Sequence, residues 1–465
     1  KTVKKQILSK ITYSSKAEIK TILQGFEKTA IYTEQKGFAI IVNEKKQCIA
    51  VITDGDIRSH LINGGSVKDK VSKAMNKEFK YALNSETSHQ MLRYFDDDVS
   101  NLPVLNARKK VVDLINYSEF DNYLKKEPRI IRAKVPVRVS FSGGGTDFSS
   151  YIKSNNTGTL STSISKFVVA SILVRPDQEI NIHSRDLGLS YSAENLNEIK
   201  YGDKLDLIKA AIKLSKPDFG FDIEVISDVE PGTGLGGSSA VAAATIGAIN
   251  EFKNEESIDL YDIADLAYQA ERIELKMPGG WQDQYATTFG GFNWIDFTTK
   301  EIIVNPLRIA KDTMLELRFN LLLFRLGGSR ESAKIQKENI KNQKNNSSEV
   351  NKIYKKMLLT AKEMRDSLLR GNVKEFGDLL NKSWEIKKRL GKKISNKKVD
   401  KLYNLAIKNG ALGGKLLGAG GSGYMIIYAS PLYQKTIIDI FEENGAKLEN
   451  FTFTSDGLKT WSTKK

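Results

Sequence analysis

Glu230-Pro231-Gly232-Thr233-Gly234-Leu235-Gly236-Gly237-Ser238-Ser239-Ala240 is the stretch on which the reading of this chain turns. Upstream, Phe221, Ile223 and Val225 alternate with polar residues, which is a strand pattern. Downstream, the alanine-rich run from Ala240 to Ile249 reads as a buried helix. Four glycines between a strand and a helix let the backbone pass close to a ligand. The helix start adds N–H groups backed by the positive end of the dipole, so the stretch is expected to cradle phosphate. A tight turn with packing glycines is the plain alternative, and two serines at the helix mouth argue against it. Gly232, Gly234 and Gly237 also fit G-x-G-x-x-G, with Glu251 near the distance a dinucleotide-binding unit needs. The alternating strand disfavours that reading, because a central parallel strand is usually continuously apolar. No Gly-Lys-Ser/Thr closes the loop, so the Walker pattern fails.

A chain of 465 residues is too long for one compact core, and two or three domains are expected. Lys plus Arg number 71 against 56 Asp plus Glu, a net charge of +15 that suits acidic small ligands. The lysine-rich stretches after residue 333 have few interleaved aromatics, so they read as solvated helix faces rather than a nucleic-acid surface. Cys48 is the single cysteine, which excludes a disulfide framework and a thiolate metal cluster. His60, His89 and His183 are scattered and read as structural or surface residues. No run reaches the ~18 apolar residues of a membrane helix. The expected compartment is the cytoplasm, with no membrane partner.

Residues 1–127 read as a small α/β unit. Ala39–Val42 and Cys48–Ile52 are apolar strands joined by a polar turn, followed by Thr53-Asp54-Gly55-Asp56 and an amphipathic run. Asn101–Leu105 and Val111–Ile115 repeat the strand–turn–strand pattern. A charged linker, Lys125-Lys126-Glu127-Pro128-Arg129, separates this unit from the rest. The next strand, Val135–Phe141, feeds Ser142-Gly143-Gly144-Gly145-Thr146-Asp147, where glycines leave room for a ligand beside a carboxylate that can accept from hydroxyls. Thr146 or Asp147 as a helix N-cap is the plain reading of that motif. Ala264–Leu275 has helical spacing and carries Glu271 and Glu274. After Pro278-Gly279-Gly280 comes Trp281-Gln282-Asp283-Gln284, where an acidic residue flanked by amides suits a positioned carboxylate. Leu321–Leu326 reads as a strand ending in Gly327-Gly328-Ser329-Arg330, and helices are expected over 332–345, 346–369 and 373–390. A last glycine-rich loop, 413–423, feeds a strand.

Pro231–Ala240 resembles the phosphate loop of the GHMP kinases, and the 142–147 and 413–423 motifs resemble the other two of that family, in family order. The resemblance implies a ribosomal protein S5 domain 2-like N-terminal domain over 130–315 and a ferredoxin-like C-terminal domain over 316–465. It implies ATP and Mg²⁺ as cofactors, with Pro231, Gly232, Thr233, Gly234, Leu235, Gly236, Gly237, Ser238 and Ser239 holding the nucleotide. Glu271 and either Ser238 or Ser239 fall on the metal positions, with Glu274 as rival to Glu271. Asp283 falls on the general base and Arg138 on the arginine beside it. Gly144, Gly145, Thr146, Asp147 and Gln282 fall on the sugar pocket, and Arg330 is the candidate for a phosphate on the sugar.

Within the family, Gly-Gly-Gly-Thr-Asp, Gly-Gly-x-Gln-Asp-Gln-Tyr, the Ser329-Arg330 loop, Leu380–Trp384 with Lys387, and Lys415–Gly421 look like the heptose 7-phosphate kinases, which act on the anomeric hydroxyl of a sugar phosphate. Trp281 departs from that pattern and is similar to fucokinases. Residues 1–127 resemble a paired CBS module, the kind attached to sugar-nucleotide enzymes. That resemblance implies an adenine nucleotide held through its ribose by Thr53 and Asp56, and a homodimer. A non-catalytic nucleotide or sugar-phosphate sensor is the competing class, and a dehydrogenase is the third.

Overall fold

The computed structural model divides into two units, Lys1–Pro128 and Arg129–Lys465. It describes every residue except 1–7, 30–36, 87–90, 92–93, 96–98, 117–128, 176, 254–257, 328–346, 392 and 465. Arg330, His89, most of the 125–129 linker and the helix expected over 332–345 lie outside the described residues.

The first unit is built twice from one pattern. Strand β1 (Thr12–Ser14) runs parallel to β2 (Phe38–Val42), which turns back into antiparallel β3 (Cys48–Thr53). Strands β4 (Ala82–Leu83), β5 (Asn101–Leu105) and β6 (Val111–Asn116) repeat that order and those directions. The turns match in detail. Asn43 and Asn106 each accept, through Oδ1, the backbone N–H four residues on, at 2.9 and 3.0 Å. Lys46 and Lys109 each take a left-handed φ, at 58° and 59°. Ile11, Phe38, Ile40 and Val51 share one apolar cluster with Leu105 and Leu114, so the two copies pack on each other. The strand–turn–strand repetition in the sequence is thus a repeat in three dimensions.

In the second unit, the 18-residue strand β8 (Thr157–Val174) is the hub of a nine-stranded sheet. β7 (Arg129–Ser142) pairs antiparallel along one side of it. On the other side, β12 (Phe292–Phe297) takes its first part and β11 (Phe221–Ser227) its last. β9 (Ile180–Ser184), β10 (Leu189–Ala193) and β13 (Ile302–Pro306) complete the flanks. Alternate residues of β7, from Ile131 to Phe141, are buried. The helix Gly237–Lys253 packs on β7 and β8, and its alanines 240, 242, 243, 244 and 248 are fully buried, which lets the two approach closely.

The C-terminal sheet has the order β15 (Ala411–Leu416), β16 (Tyr424–Ala429), β14 (Leu321–Arg325), β17 (Lys447–Glu449), all antiparallel. Helices Ser347–Leu369, Val373–Lys388 and Lys397–Lys408 lie in sequence between β14 and β15, and Pro431–Glu443 between β16 and β17. This is the ferredoxin-like arrangement. Two details differ from the sequence reading. Gly413, Gly414 and Lys415 belong to β15, because a Cβ at Gly413 would sit 2.2 Å from the Gly377 carbonyl and only glycine lets that helix approach the strand. The chain then returns: β18 (Phe453–Thr454) pairs with β8, and β19 (Lys459–Lys464) covers the free edge of β7. The first sheet therefore does not end near 315.

Phe141 ties the sheet to the C-terminal helices. It is fully buried, edge-on to Phe376 at 5.0 Å and stacked on Phe292 at 6.3 Å. Replacing Phe141 with Ala should cost about 3–5 kcal/mol of stability. Denaturant melts should show this as a lower midpoint, and a loss below about 1 kcal/mol would mean the two domains are held elsewhere.

Candidate active site

Gly232, Gly234 and Gly236 take φ of 70°, 87° and 75°, the left-handed region that glycine tolerates. Crowding adds a second reason. A Cβ at Gly234 would lie 2.4 Å from the Leu417 carbonyl oxygen, and one at Gly418 would lie 2.4 Å from the Gly234 Cα. The 417–423 loop therefore packs backbone to backbone on the phosphate loop, and Tyr424 N–H donates to the Thr233 carbonyl at 3.2 Å. Pro231, Gly232, Gly234, Gly236, Gly237 and Ser238 line a cavity of about 690 Å³. Thr233, Leu235 and Ser239 turn away from it. The Thr233 hydroxyl donates to the Glu230 carbonyl at 2.7 Å, Leu235 is in the core, and Ser239 is fully buried.

The helix Gln282–Phe289 opens on the same cavity and carries Asp283 in its first turn, where the dipole favours a carboxylate. Arg138, from β7, meets it. Its Nη2 lies 2.7 Å from Asp283 Oδ1, and Nε donates to the same oxygen at 2.9 Å. Its Nη1 donates to the Gly234 carbonyl at 2.6 Å. The arginine side chain is 4% exposed and the aspartate 26%, so the carboxylate stays open to the cavity while its cation is enclosed.

The 142–147 loop forms another wall. Asp147 accepts from the Gly145 N–H at 2.8 Å and from the Gln282 N–H at 2.9 Å. Burial raises its carboxyl above the usual range and the Asp283 charge adds to this, against the two backbone donors. A Cβ at Gly280 would meet Asp147 Oδ2 at 2.1 Å, which explains the Gly-Gly before the acidic motif. The Gln282 amide donates to Ser140 Oγ at 2.8 Å and, like Gly144, Gly145 and Asp147, faces the cavity. Thr146 does not. It is fully buried, donating to the Gly143 carbonyl at 2.8 Å and accepting from Thr157 Oγ1 at 2.6 Å, and so pins the loop from behind.

Glu271 sits in a π-helical turn, Gln269–Glu274, that extends the helix Leu260–Tyr268. It is fully buried behind the phosphate loop. Its Oε2 accepts from Ser239 Oγ at 2.7 Å and from the Gln284 amide, while Oε1 has no hydrogen-bond partner. Arg272 Nη2 lies 3.7 Å from Oε2 and supplies a first counter-charge. The unpaired buried Oε1 has room for a further cation or donor, so the residues fit a divalent ion completed by phosphate oxygens and water. Among the described residues no three His, Cys, Asp or Glu side chains cluster for a metal. Glu274 is exposed and accepts from the Tyr201 hydroxyl at 2.8 Å, away from this group.

Two wall residues, Arg272 and Tyr354, do not stand out in the sequence, and Lys387 stands out only as part of a family motif, with no role attached. Its place after Phe376, Leu380 and Trp384 puts Lys387 on the buried face of its helix. Trp281 is turned out of the cavity. It stacks flat on Tyr268 and its indole N–H donates to Ser149 Oγ at 2.9 Å. The residue that broke the heptose kinase pattern thus belongs to the frame rather than the wall. His60 and His183 do not line the cavity.

In the first unit, Thr53 and Asp56 form a capping box on the helix Asp54–Ile62. The Thr53 hydroxyl donates to Asp56 Oδ2 at 2.8 Å, and so does the Thr53 N–H, also at 2.8 Å.

Replacing Gly234 with Ala combines a strained φ with a clash against the Leu417 carbonyl. It should cost about 1–3 kcal/mol. Chemical denaturation measures it, and an unchanged midpoint would show that the loops can part without loss.

Residues 206–291 match the GHMP kinases N terminal domain, and residues 364–447 the GHMP kinases C terminal domain. The chain is 33% identical over 339 residues to the D-glycero-alpha-D-manno-heptose 7-phosphate kinase of Campylobacter jejuni, covering 72% of this chain and 99% of that one. It is 29% identical over 367 residues to the L-fucokinase/L-fucose-1-P guanylyltransferase of Bacteroides fragilis, covering 71% of this chain and 38% of that one. Among solved structures it is similar to a D-glycero-D-manno-heptose 1-phosphate kinase of Bacteroides thetaiotaomicron, with TM-score 0.60 and 26% identity over 71% of this chain and 98% of that one. The chain belongs to the GHMP kinase family and is a phosphotransferase that acts on an alcohol group.

Proposed function

We propose that this enzyme transfers the terminal phosphoryl of ATP to the anomeric hydroxyl of D-glycero-D-manno-heptose 7-phosphate. The 1,7-bisphosphate formed would serve nucleotide-activated heptose for surface polysaccharide. One observation carries the reading: the Arg138–Asp283 pair stands between the phosphate loop and the Gly143–Asp147 loop on one cavity wall. The heptose 7-phosphate kinase relative, matched over nearly its whole length, supports the choice of sugar.

In the reaction, the anomeric oxygen attacks phosphorus, the bond to the leaving ADP oxygen breaks, and the hydroxyl proton passes to Asp283. Arg138 holds Asp283 in place and faces the charge that builds on the phosphoryl oxygens. Backbone N–H groups at Gly236–Ser238 hold the nucleotide phosphates. Mg²⁺, when bound, would neutralise phosphate charge, and Ser238, with Glu271 behind it, would hold the ion. The Ser239 hydroxyl, already given to Glu271, is the weaker candidate. Asp147 and Gln282 orient the sugar. The fucokinase relative supports a second reading, an L-fucose-type 1-kinase, while a sensor would have no need of the Arg138–Asp283 pair.

For the first unit, the doubled strand pattern supports a CBS pair that takes one adenine nucleotide beside Thr53 and Asp56 and joins two chains.

A substrate panel of heptose 7-phosphate, fucose, mannose and galactose, with the product phosphate located by NMR, tests the assignment. Asp283→Asn should keep the fold and lose turnover by about 10²–10⁴-fold. Near-normal turnover would remove Asp283 from the chemistry, and a preference for fucose would replace the heptose assignment.

Calorimetry on the full chain with AMP tests the first unit. Asp56→Asn keeps a capping oxygen but loses the charge, so it should abolish an AMP heat seen in the parent without lowering the melting midpoint. No AMP heat at millimolar concentration sinks the nucleotide reading.

A further inference from the structure

Of the enclosed cations on the cavity wall, Lys387 has neither a carboxylate partner among the described residues nor a part in the reaction described above, whereas Arg272 lies 3.7 Å from Glu271 Oε2. Lys387 lies in the last turn of the helix Val373–Lys388 and is 7% exposed. Its ammonium donates to the Gly418 carbonyl, its one hydrogen-bond partner among the described residues, and no carboxylate there lies within ion-pair distance. An ammonium carries three donors, so two remain. The other buried lysines are satisfied differently. Lys209 reaches Asp203 at 2.6 Å and the Lys200 carbonyl at 2.9 Å. Lys415 spends its ammonium on the Ser140 and Phe141 carbonyls, at 2.8 and 2.9 Å. A buried charge without a counter-ion is costly, and Lys387 is the one that faces the cavity in that condition.

Its place is fixed by the loops. Gly418, which accepts from Lys387, lies against the backbone of Gly234. The Gly234 carbonyl accepts from Arg138, and Arg138 holds Asp283. Lys387, Arg138 and Asp283 therefore share one corner of the cavity, beside the phosphate loop.

We propose that Lys387 contacts the phosphoryl group while it passes from nucleotide to acceptor, so that the C-terminal domain supplies a catalytic cation to a site built mainly on the other domain. This rests on the kinase reading above. The transferring group spreads negative charge over three oxygens and needs donors there. Arg138 has given three of its five N–H donors, Nε and Nη2 to Asp283 and one at Nη1 to Gly234, so two remain for three phosphoryl oxygens and further donors are needed. Lys387 has two. A phosphate on the acceptor sugar presents the same chemistry, but in a 7-phosphate it hangs at the far end from the reacting hydroxyl.

The charged groups around Lys387 are Arg138 from β7, Asp147 from the following loop, Asp283 from the helix Gln282–Phe289, and Lys415 from β15. Burial, then Arg138, pulls the Lys387 ammonium down to about 8, partly opposed by Asp147 and Asp283. Lys387 is charged below that pH and loses its proton above it.

The test uses the full chain with Mg²⁺-ATP and both heptose 7-phosphate and an unphosphorylated sugar. Lys387→Met should lower kcat by about 10²–10³-fold for every acceptor used, with acceptor KM within about threefold. Lys387→Arg should recover part of it. In the parent, kcat should fall as pH rises through about 8, and that limb should vanish in Lys387→Met. ATP and ADP affinities give a readout free of the sugar: Lys387→Met should weaken ATP and leave ADP unchanged. A rise in KM confined to the phosphosugar would place Lys387 on the acceptor's phosphate and overturn the proposal. So would an unchanged kcat in Lys387→Met, a pH limb that survives it, or equal loss of ATP and ADP. A parent that phosphorylates no heptose but does phosphorylate another sugar overturns the substrate assignment alone, since the Lys387 readouts can still be taken.

Discussion

The buried guanidinium of Arg138 is the contact on which the site depends. It joins three segments that are distant in sequence: β7, the phosphate loop at Gly234 and the helix start at Asp283. A charge this enclosed is tolerated because each of its three nitrogens meets an oxygen, and removal of either partner would leave an uncompensated group. The Nε and Nη2 contacts converge on one carboxylate oxygen and hold Oδ1 in the guanidinium plane, which a lysine ammonium could not do.

Around that contact the two domains meet through glycine. Gly234 against Leu417–Gly418, and Gly423 against Thr233, bring backbones to distances that no side chain would allow. The glycines of the last motif thus have a steric role in keeping the phosphate loop in shape. Lys415 adds to this by taking the Ser140 and Phe141 carbonyls at the end of β7, the strand that carries Arg138. Burial drives the Lys415 ammonium well below the usual lysine range, with Lys387 and Arg138 acting in the same direction. Arg138 and Lys387, two enclosed cations on the wall of the open cavity, favour a polyanion there.

The first unit shows a different economy. Its two copies share strand order, turn type and a common apolar cluster, yet they differ in the residues that follow the hairpin. In the first copy Thr53 and Asp56 cap a helix through reciprocal bonds. That capping accounts for the pair structurally, so any ligand there must share oxygens already in use.

The sequence by itself determined the kinase architecture and the motif-borne part of the wall. The strand–glycine loop–helix unit at 221–249, the alternation in β7 and the doubled hairpins are local patterns, and local patterns survive in one dimension. Asp283, Arg138 and the loop glycines were legible for the same reason, since each sits in a short motif. The facing of side chains was not. Thr146, Thr233, Leu235 and Ser239 stand in the right motifs and point away from the cavity, because in a tight loop orientation follows from backbone dihedrals and neighbours rather than from order along the chain. The return of the chain into β18 and β19, the turned-out Trp281, and the entry of Lys387 from a helix more than one hundred residues beyond Asp283 were decided only by tertiary packing. A contact between distant segments depends on how two domains dock, and no periodicity in either segment records it.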